Sequence, residues 1–252
     1  MNPFPPTTLP LTSYTSASPF SQGWQWLTDG RNWQGTSGIL SRTLEHLGYT
    51  GLTLLISIAI AVPLGLYVGH TGRGRAVVVS LASMLRALPT LGIMTLLALM
   101  ATTSLSLAPA ICALVLLAVP PILTGTYAGI AAVDRETVDA ARGVGMTGAQ
   151  VLFRVEVPNG LAVMMGGLRS AVLQVISTVA VVAFISLGGL GRYIIDGLAV
   201  QDYGQVLGGA LIIAALAIAI DGLLALLQRS VVSPGLKRTA ASPVPANSST
   251  AS

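Results

Sequence analysis

The composition of this 252-residue chain excludes a soluble globular domain, because 53% of its residues are hydrophobic and only 9% are charged. Ordinary soluble domains are about 25% charged. The net charge of +4 comes mainly from arginines in short loops, and with one lysine and no basic stripe we expect no nucleic-acid partner. The composition therefore predicts an all-α, polytopic membrane protein in a lipid bilayer, with about five transmembrane helices.

Three segments are predicted to lie outside the membrane core. Residues 1–22 are rich in Pro, Thr and Ser and lack the basic start and apolar core of a signal peptide, so they predict a disordered tail. Residues 23–50 carry all three tryptophans and predict an interfacial amphipathic segment, because Trp side chains favour the headgroup level. Residues 231–252 are polar and predict a disordered cytoplasmic tail.

Residues 51–230 form the predicted membrane domain. A helix needs about 20 apolar residues to cross a bilayer, and five runs meet this requirement: 51–69, 77–101, 107–130, 161–187 and 206–227. The second run contains Arg86 and Pro89, so it predicts either one kinked helix or two shorter helices. Two shorter helices would raise the count to six spans, and we prefer five.

Two charged residues, Arg86 and Asp221, stand out inside the predicted spans. An arginine at the centre of a span costs roughly 2.5–3.5 kcal/mol, so Arg86 is expected to face protein or water, or to extend toward the cytoplasmic headgroups. Pro89 frees a backbone carbonyl and kinks the same span, which suits a moving pathway helix. Asp221 either pairs with Arg86 or faces the interior of the subunit, and a proton relay is a further alternative.

Glycines predict tight turns and close helix packing. The GGLG run that contains Gly188, Gly189 and Gly191 ends the fourth predicted span and permits a tight turn or a close backbone approach. Two G-x-x-x-G sequences, at 65–69 and 204–208, permit close packing of helices.

The sequence shows no pattern for catalysis, metal binding or ATP binding. His46 and His70 lie far from each other and from the single cysteine, so no metal site is predicted, and His46 is expected on a helix surface. A glycine-rich loop ending in Lys-Ser or Lys-Thr, which cradles ATP phosphates, is missing. We therefore expect any ATP chemistry on another chain.

The segment 138–158, VDAARGVGMTGAQVLFRVEVP, is a polar and amphipathic island between two apolar runs. Ala140 and Ala141 favour helix and leave a surface that another protein can approach closely. Gly145 can adopt the positive φ that ends a helix and turns the chain. Pro158 suits the first turn of the following helix. The segment predicts a short helix, a tight turn and a second helix.

This segment resembles the EAA loop in the transmembrane subunits of binding-protein-dependent ABC importers. The family pattern is E-A-A, three residues, G, nine residues, I-x-L-P. The chain keeps this spacing with Asp139, Ala140, Ala141, Gly145, Val155, Val157 and Pro158. Asp139 stands in place of Glu, Val155 in place of Ile and Val157 in place of Leu. The resemblance implies a cytoplasmic coupling helix that docks into a groove of a separate ATPase, with these contact residues: Asp139, Ala140, Ala141 and Gly145.

Two further stretches of the sequence resemble the corresponding stretches of osmoprotectant permeases. The run RALPTLG is similar to their QTIPSLALL run, with Arg86 in place of the glutamine and with Pro89 kept, and the stretch LRSAVLQVISTVAVVAFISLGGLGRYIIDGL also matches. The resemblance implies the permease subunit of an ABC importer for glycine betaine, carnitine, choline or proline betaine, working by alternating access. Methionine and phosphonate permeases share the EAA pattern, so another small solute such as methionine is the alternative.

The same resemblance implies the partners. They are an ABC ATPase that carries ATP and Mg²⁺, an extracytoplasmic solute-binding protein and a second permease subunit, either identical or a sister chain. No cofactor is expected in this chain. The candidates for the translocation pathway or its gating are Arg86, Pro89, Asp221, Gly188, Gly189 and Gly191.

Basic residues predict the orientation. If the EAA-like loop is cytoplasmic, three basic residues lie outside, namely Arg31, Arg42 and Arg192. Nine lie inside: Arg73, Arg75, Arg135, Arg142, Arg154, Arg169, Arg229, Lys237 and Arg238. Because basic residues collect on the cytoplasmic side, we expect a multi-pass protein of the bacterial plasma membrane with an external N-terminus and a cytoplasmic C-terminus.

Two other classes of function remain as alternatives. A self-contained secondary transporter or channel would use Arg86 and Asp221 for ion coupling and would need no ATPase. A membrane scaffold or assembly factor would use the EAA-like loop only as a docking site. Solute uptake that requires ATP distinguishes the importer from both.

Overall fold

The computed structural model describes residues 18–100 and 107–231, and these residues form helices joined by short turns, without a strand. The all-α prediction is confirmed. The helices are α1 (Pro19–Thr28), α2 (Ile39–Thr71), α3 (Arg75–Ala87), α4 (Thr90–Met100), α5 (Leu107–Ala131), α6 (Arg135–Gly143), α7 (Gly148–Val151), α8 (Val157–Val179), α9 (Gly191–Ala199) and α10 (Tyr203–Val231). Shorter 3₁₀ turns cover Gly30–Trp33 and Ala180–Ile185, and a π turn covers Leu152–Glu156.

The number of spans agrees with the prediction of about five. Among the described residues, four helical stretches are long and apolar enough to cross a membrane: Ile39–Thr71, Leu107–Ala131, Gly148–Ile185 and Tyr203–Ser230. The helices α3 and α4 together form a fifth candidate, bent by 88° at the break between them. Pro89 explains the break, because proline disfavours helical angles in the preceding residue, and Leu88 is extended with ψ of 132°.

The helix that contains the first predicted span starts earlier than the hydropathy pattern predicted. We expected it at residue 51, with a separate interfacial segment at 23–50, but α2 begins at Ile39 and passes through that boundary without a break. Polar residues lower the hydropathy of its first turns, yet a single buried face continues along the helix through His46, Thr50, Thr53 and Ser57. At 33 residues, α2 is about 50 Å long, so it extends beyond a hydrocarbon core of about 30 Å.

The predicted N-terminal tail also ends earlier than expected. Helix α1 starts at Pro19, and the Ser18 hydroxyl caps it by accepting a hydrogen bond from the Ser21 N–H at 3.3 Å. Residues 19–22 are therefore helical. The rest of the predicted tail, the predicted C-terminal tail from residue 232 and the end of the second predicted span at residue 101 lie outside the described residues.

Helix α5 is the centre of the bundle and packs against α2, α3, α4 and α8. The first G-x-x-x-G sequence faces it, because a Cβ added at Gly65 or Gly69 would lie 2.6 Å from the Cβ of Thr126 or Ile130, respectively. Only glycine allows this approach, so the close packing predicted for residues 65–69 is confirmed.

The contact between α5 and α8 is closer still. A Cβ at Gly125 would lie 2.5 Å from the Cα of Gly167, and a Cβ at Gly129 would lie 2.7 Å from the Gly160 carbonyl oxygen. The two backbones therefore touch over at least two helical turns, and a side chain at any of these four glycines would separate them.

The second G-x-x-x-G sequence packs against α1. A Cβ at Gly208 would overlap the Trp26 ring, which also contacts Tyr193 edge to face with a centroid distance of 4.9 Å. Trp26 is thus a packing residue, whereas Trp24 and Trp33 are 67% and 48% exposed. Helix α1 is therefore fixed to the start of α10.

The bundle has two distinct ends. The C-terminal turns of α2 and α5 meet α6, α7 and the π turn, and we call this region the α6 end. The N-terminal turns of α2 and α10 meet α1, α9 and the GGLG run, and we call this region the α9 end.

Candidate functional site

The predicted helix, turn and helix at 138–158 are present at the α6 end. Helix α6 begins after Asp134, whose carboxylate accepts the Glu136 N–H at 3.2 Å. It ends in a Schellman motif, in which the Met146 N–H donates to the Ala141 carbonyl at 3.2 Å and the Gly145 N–H donates to the Arg142 carbonyl at 2.9 Å. Gly145 has φ of +88°, the conformation that the sequence predicted for it.

The second helix starts immediately after this turn. Thr147 and Gln150 form a capping box, with the Thr147 N–H donating to Gln150 Oε1 at 2.8 Å and the Gln150 N–H donating to Thr147 Oγ1 at 3.4 Å. The π turn Leu152–Glu156 then leads into α8, where Pro158 lies in the first turn. Proline has no N–H to donate to the carbonyl four residues before it, so its place after a widened turn is favourable.

The loop presents an outer face with small and apolar side chains. Asp139, Ala140 and Gly145 are exposed, as is Pro158. Val144 is 81% exposed and Phe153 is 62% exposed, and the family pattern did not draw attention to either residue. An apolar side chain, Val144, is therefore accessible directly beside Gly145 in the turn.

The inner face of α6 packs against the rest of the chain. Ala141 is buried, and α6 contacts α7 and the π turn. Val155 and Val157 are half-buried. Ala141 therefore supports the loop from behind and does not lie on the outer surface where the resemblance placed it.

A contact between two side chains that the sequence did not predict holds the loop against α2. His70 Nδ1 lies 2.6 Å from Glu156 Oε2, and the Glu156 side chain is only 7% exposed. The pair borders a cavity of about 490 Å³ that also contains the Arg75 guanidinium, 5.8 Å from the centre of the Tyr127 ring. The partners are 86 residues apart in the chain, so no local pattern connects them.

Asp221 pairs with Arg169 and not with Arg86. Arg169 Nε and Nη2 donate to the two Asp221 carboxylate oxygens at 2.9 and 2.8 Å. Gln228 completes the cluster: its Oε1 accepts from Arg169 Nη1 at 3.2 Å and its Nε2 donates to the Ala162 carbonyl at 3.0 Å. The cluster links α8 to α10, and Arg169 belongs to this membrane-spanning pair and not to the loop charges counted above.

Arg86 lies in a different place, on a groove between α3, α5 and α8. Its Nη2 donates to Thr124 Oγ1 at 3.4 Å, and the side chain is exposed. The groove has a volume of about 340 Å³ and is lined by Arg86, Pro121, Thr124, Gly125, Ala128, Val163, Gly166, Gly167 and Ser170. Arg86 therefore borders an open groove lined mainly by small and apolar residues, and the environments predicted for it in the membrane stay predictions.

The GGLG run makes the close approach that its glycines permit. Gly189 has φ of +89°, and its N–H donates to Glu45 Oε2 at 2.8 Å. The same oxygen accepts from Arg42 Nη1 at 2.8 Å. A Cβ at Gly188 would overlap the Glu45 carboxylate, and a Cβ at Gly191 would overlap the Ala180 carbonyl oxygen. These glycines pack within the subunit, and their part in gating stays a prediction.

Two buried side chains complete the α9 end. His46 is fully buried and its Nε2 lies 3.0 Å from the Ile176 carbonyl oxygen, so the expectation that it lies on a helix surface is wrong. Tyr193 Oη donates to the Ser37 carbonyl at 2.7 Å. Burial raises the pKa of the Tyr193 phenol, which keeps it protonated as a donor.

Comparison with known proteins assigns the chain to a class. Residues 61–233 match the family described as "Binding-protein-dependent transport system inner membrane component". The chain therefore belongs to this family of transport permease subunits, and it is a multi-pass membrane protein.

Named relatives cover most of the chain. It is 34% identical over 199 residues to the glycine betaine/carnitine/choline transport system permease protein OpuCB of Bacillus subtilis, covering 79% of this chain and 91% of the relative. It is 33% identical over 202 residues to the osmoprotectant import permease protein OsmW of Salmonella typhimurium, covering 79% and 94%.

A solved structure shares the fold. The inward-facing MetNI methionine ABC transporter superposes with a TM-score of 0.66 over 77% of this chain and 96% of that chain, at 19% identity. At this identity the likeness concerns the fold alone, and it agrees with the bundle of permease helices described above.

Proposed function

We propose that this chain is the permease subunit of an ATP-driven importer that moves a small osmoprotectant into the cell by alternating access. The observation that carries the proposal is the loop at the α6 end. Its helix and Schellman turn expose Asp139, Ala140 and Gly145 together with Val144, while Ala141 and the His70–Glu156 pair fix it to the bundle. A rigidly supported outer face is what a coupling surface requires, because force must pass through it.

The substrate class comes from the relatives. The names of OpuCB and OsmW specify glycine betaine, carnitine and choline transport, and osmoprotectant import. We extend this class to the present chain because the matches reach 91% and 94% of those proteins. The methionine alternative has weaker support, since the methionine transporter shares only 19% identity.

The partners follow from the same proposal. A separate ABC ATPase, carrying ATP and Mg²⁺, would dock on the outer face of the loop. A solute-binding protein would deliver the solute at the α9 end, and a second permease subunit, identical or a sister chain, would complete the pathway.

The proposed orientation puts the α6 end in the cytoplasm and the N-terminus outside. Without Arg169, eight of the nine basic residues assigned to the inside remain against three outside, so the bias keeps its sign. Two of the eight, Lys237 and Arg238, lie outside the described residues.

The ion-coupled alternative loses its basis. It required Arg86 and Asp221 to act together, whereas the Asp221 carboxylate is engaged by the Arg169 guanidinium through two hydrogen bonds. This pair joins α8 to α10, so Asp221 is not available as a partner of Arg86.

The test is uptake of labelled glycine betaine into proteoliposomes that contain this chain, its ATPase and its sister permease. Binding protein is added outside and ATP is trapped inside. We expect uptake that requires both ATP and binding protein and that persists after ionophores dissipate ion gradients. If loaded binding protein stimulates ATPase activity but no betaine is taken up, betaine is rejected as the substrate and the importer proposal stands. Uptake without ATP would reject the importer.

A further inference from the structure

The groove that contains Arg86 borders α5, one of the helices that are long and apolar enough to cross a membrane. Thr124, which accepts the hydrogen bond from Arg86, lies seven residues before the end of α5, which is about 10 Å along the helix. Among the described residues, no carboxylate lies within ion-pair distance of the Arg86 guanidinium. A positive charge with only a hydroxyl partner on a membrane-spanning helix is costly unless water, lipid headgroups, a solute or another protein contacts it.

The other residues around the groove define what it can bind. They are small or uncharged, and Thr124 and Ser170 supply hydroxyl groups. A Cβ added at Gly166 would meet no atom within 4 Å, so the groove is open on this side. The site therefore combines one positive charge with hydroxyl groups and room for a small molecule. A planar guanidinium binds a carboxylate through two parallel hydrogen bonds.

Arg169, which lies in α8, differs from Arg86 in its partners. Its Nε, Nη1 and Nη2 groups already donate hydrogen bonds to Asp221 and Gln228, so they have partners within the chain. Arg86 is the one charged residue that lines its groove among the residues described.

We propose that Arg86 holds the carboxylate of a zwitterionic solute as it passes through the permease. This inference rests on the proposed function and deepens it by choosing among the solutes. Glycine betaine, carnitine and proline betaine carry a carboxylate, whereas choline carries an alcohol and a net positive charge. Arg86 attracts the first group and repels choline, so the permease itself favours carboxylate-bearing betaines.

The test compares uptake of glycine betaine and choline by the reconstituted importer with Arg86, with Arg86→Gln and with Arg86→Lys. The same binding protein serves every variant, so its own selectivity cancels in the change of the betaine-to-choline ratio. We expect Arg86→Gln to lower that ratio by roughly 10- to 100-fold and Arg86→Lys to keep part of it, because lysine retains the charge and loses the fork. Arg73→Gln, which removes an exposed arginine in the loop before α3, is the matched control and should leave the ratio unchanged.

Each other outcome overturns the inference in a recognisable way. If the wild type is active and Arg86→Gln leaves the betaine-to-choline ratio unchanged, the role of Arg86 is overturned and the proposed function stands. Equal loss of both uptakes, together with loss of permease assembly on gel filtration, would show that Arg86 pairs with a carboxylate of a second subunit. A wild type that moves neither solute would overturn the proposed function first and this inference with it.

Discussion

Two turns of the chain are built on a glycine with positive φ, one at Gly145 and one at Gly189. Their φ angles are nearly the same, but their surroundings are opposite. Gly145 has φ of +88°, and a Cβ there would meet no neighbouring atom within 4 Å. Gly189 has φ of +89°, its N–H is held by Glu45, and a Cβ there would lie 3.5 Å from the His46 ring. The first turn is open and the second is enclosed.

This difference predicts different roles for the two ends of the bundle, with the α6 end acting in transport and the α9 end in stability. At the α6 end, a glycine shapes a surface that nothing in the described chain covers. At the α9 end, glycines admit the Arg42–Glu45 pair and the carbonyl of Ala180 into the turn. Substitutions at the α6 end should therefore change transport, and those at the α9 end should change the free energy of unfolding.

The largest expected effect is the loss of transport in Gly145→Asp. The side chain meets open space and folding is disfavoured only by the positive φ, roughly 1–2 kcal/mol. A new negative charge on the proposed docking face would lose its hydration against the ATPase, so uptake should fall at least about 100-fold. The measurement is ATP-dependent uptake, with membrane insertion checked by protease protection.

Gly145→Asn is the matched control, since it has the same shape and the same tolerance of positive φ without the charge. We expect it to retain more transport than Asp. Full transport in the Asp variant would contradict the coupling role of the loop.

The second effect is on folding, in Gly191→Ala. The added methyl group would overlap the Ala180 carbonyl oxygen, which is backbone and cannot move aside. Overpacking of this kind costs about 3 kcal/mol, measured as a lower midpoint of unfolding in detergent. Gly48→Ala, in α2 with nothing near its Cβ, is the control and should be neutral or stabilising by up to about 1 kcal/mol. Equal stability of both variants would show that the α9 end is not enclosed.

Local contacts explain why the sequence correctly predicted the positive φ of Gly145. The Schellman motif involves only residues 141–146, and the capping box after it involves Thr147 and Gln150. Apolar length predicted most of the spans for the same reason, because hydropathy is a property of consecutive residues. The start of α2 was missed because Arg42, Glu45 and His46 interrupt that signal while the buried face continues.

The contacts that hold the bundle together could not be predicted in this way. Glu45 and the Gly189 N–H are 144 residues apart, and Arg169 and Asp221 are 52 residues apart. No period or spacing in one sequence connects such partners. The alternatives that the sequence left open for Asp221 were decided by helix packing between α8 and α10.

The third prediction, Glu45→Gln, tests the enclosed turn at Gly189. The amide can still accept from the Gly189 N–H, but it loses the ion pair with Arg42. We expect a loss of about 1–2 kcal/mol, because hydrogen bonds to charged groups exceed neutral ones by that order. Transport per folded molecule should stay unchanged. Reduced transport at unchanged stability would instead assign the GGLG run to gating.

The smallest effect is expected for Tyr193→Phe, which tests how α9 is fastened to the loop before α2. The phenol donates to the Ser37 carbonyl at 2.7 Å, while the ring packs edge to face against Trp26. Phenylalanine keeps the ring contact and removes one hydrogen bond, so unfolding should become easier by about 1 kcal/mol. Tyr193→Ala, measured beside it, also removes the ring and should lose about 3 kcal/mol or more. If both variants lose the same amount, the hydrogen bond and not the aromatic packing fixes the α9 end; if Phe loses nothing, the ring alone does so.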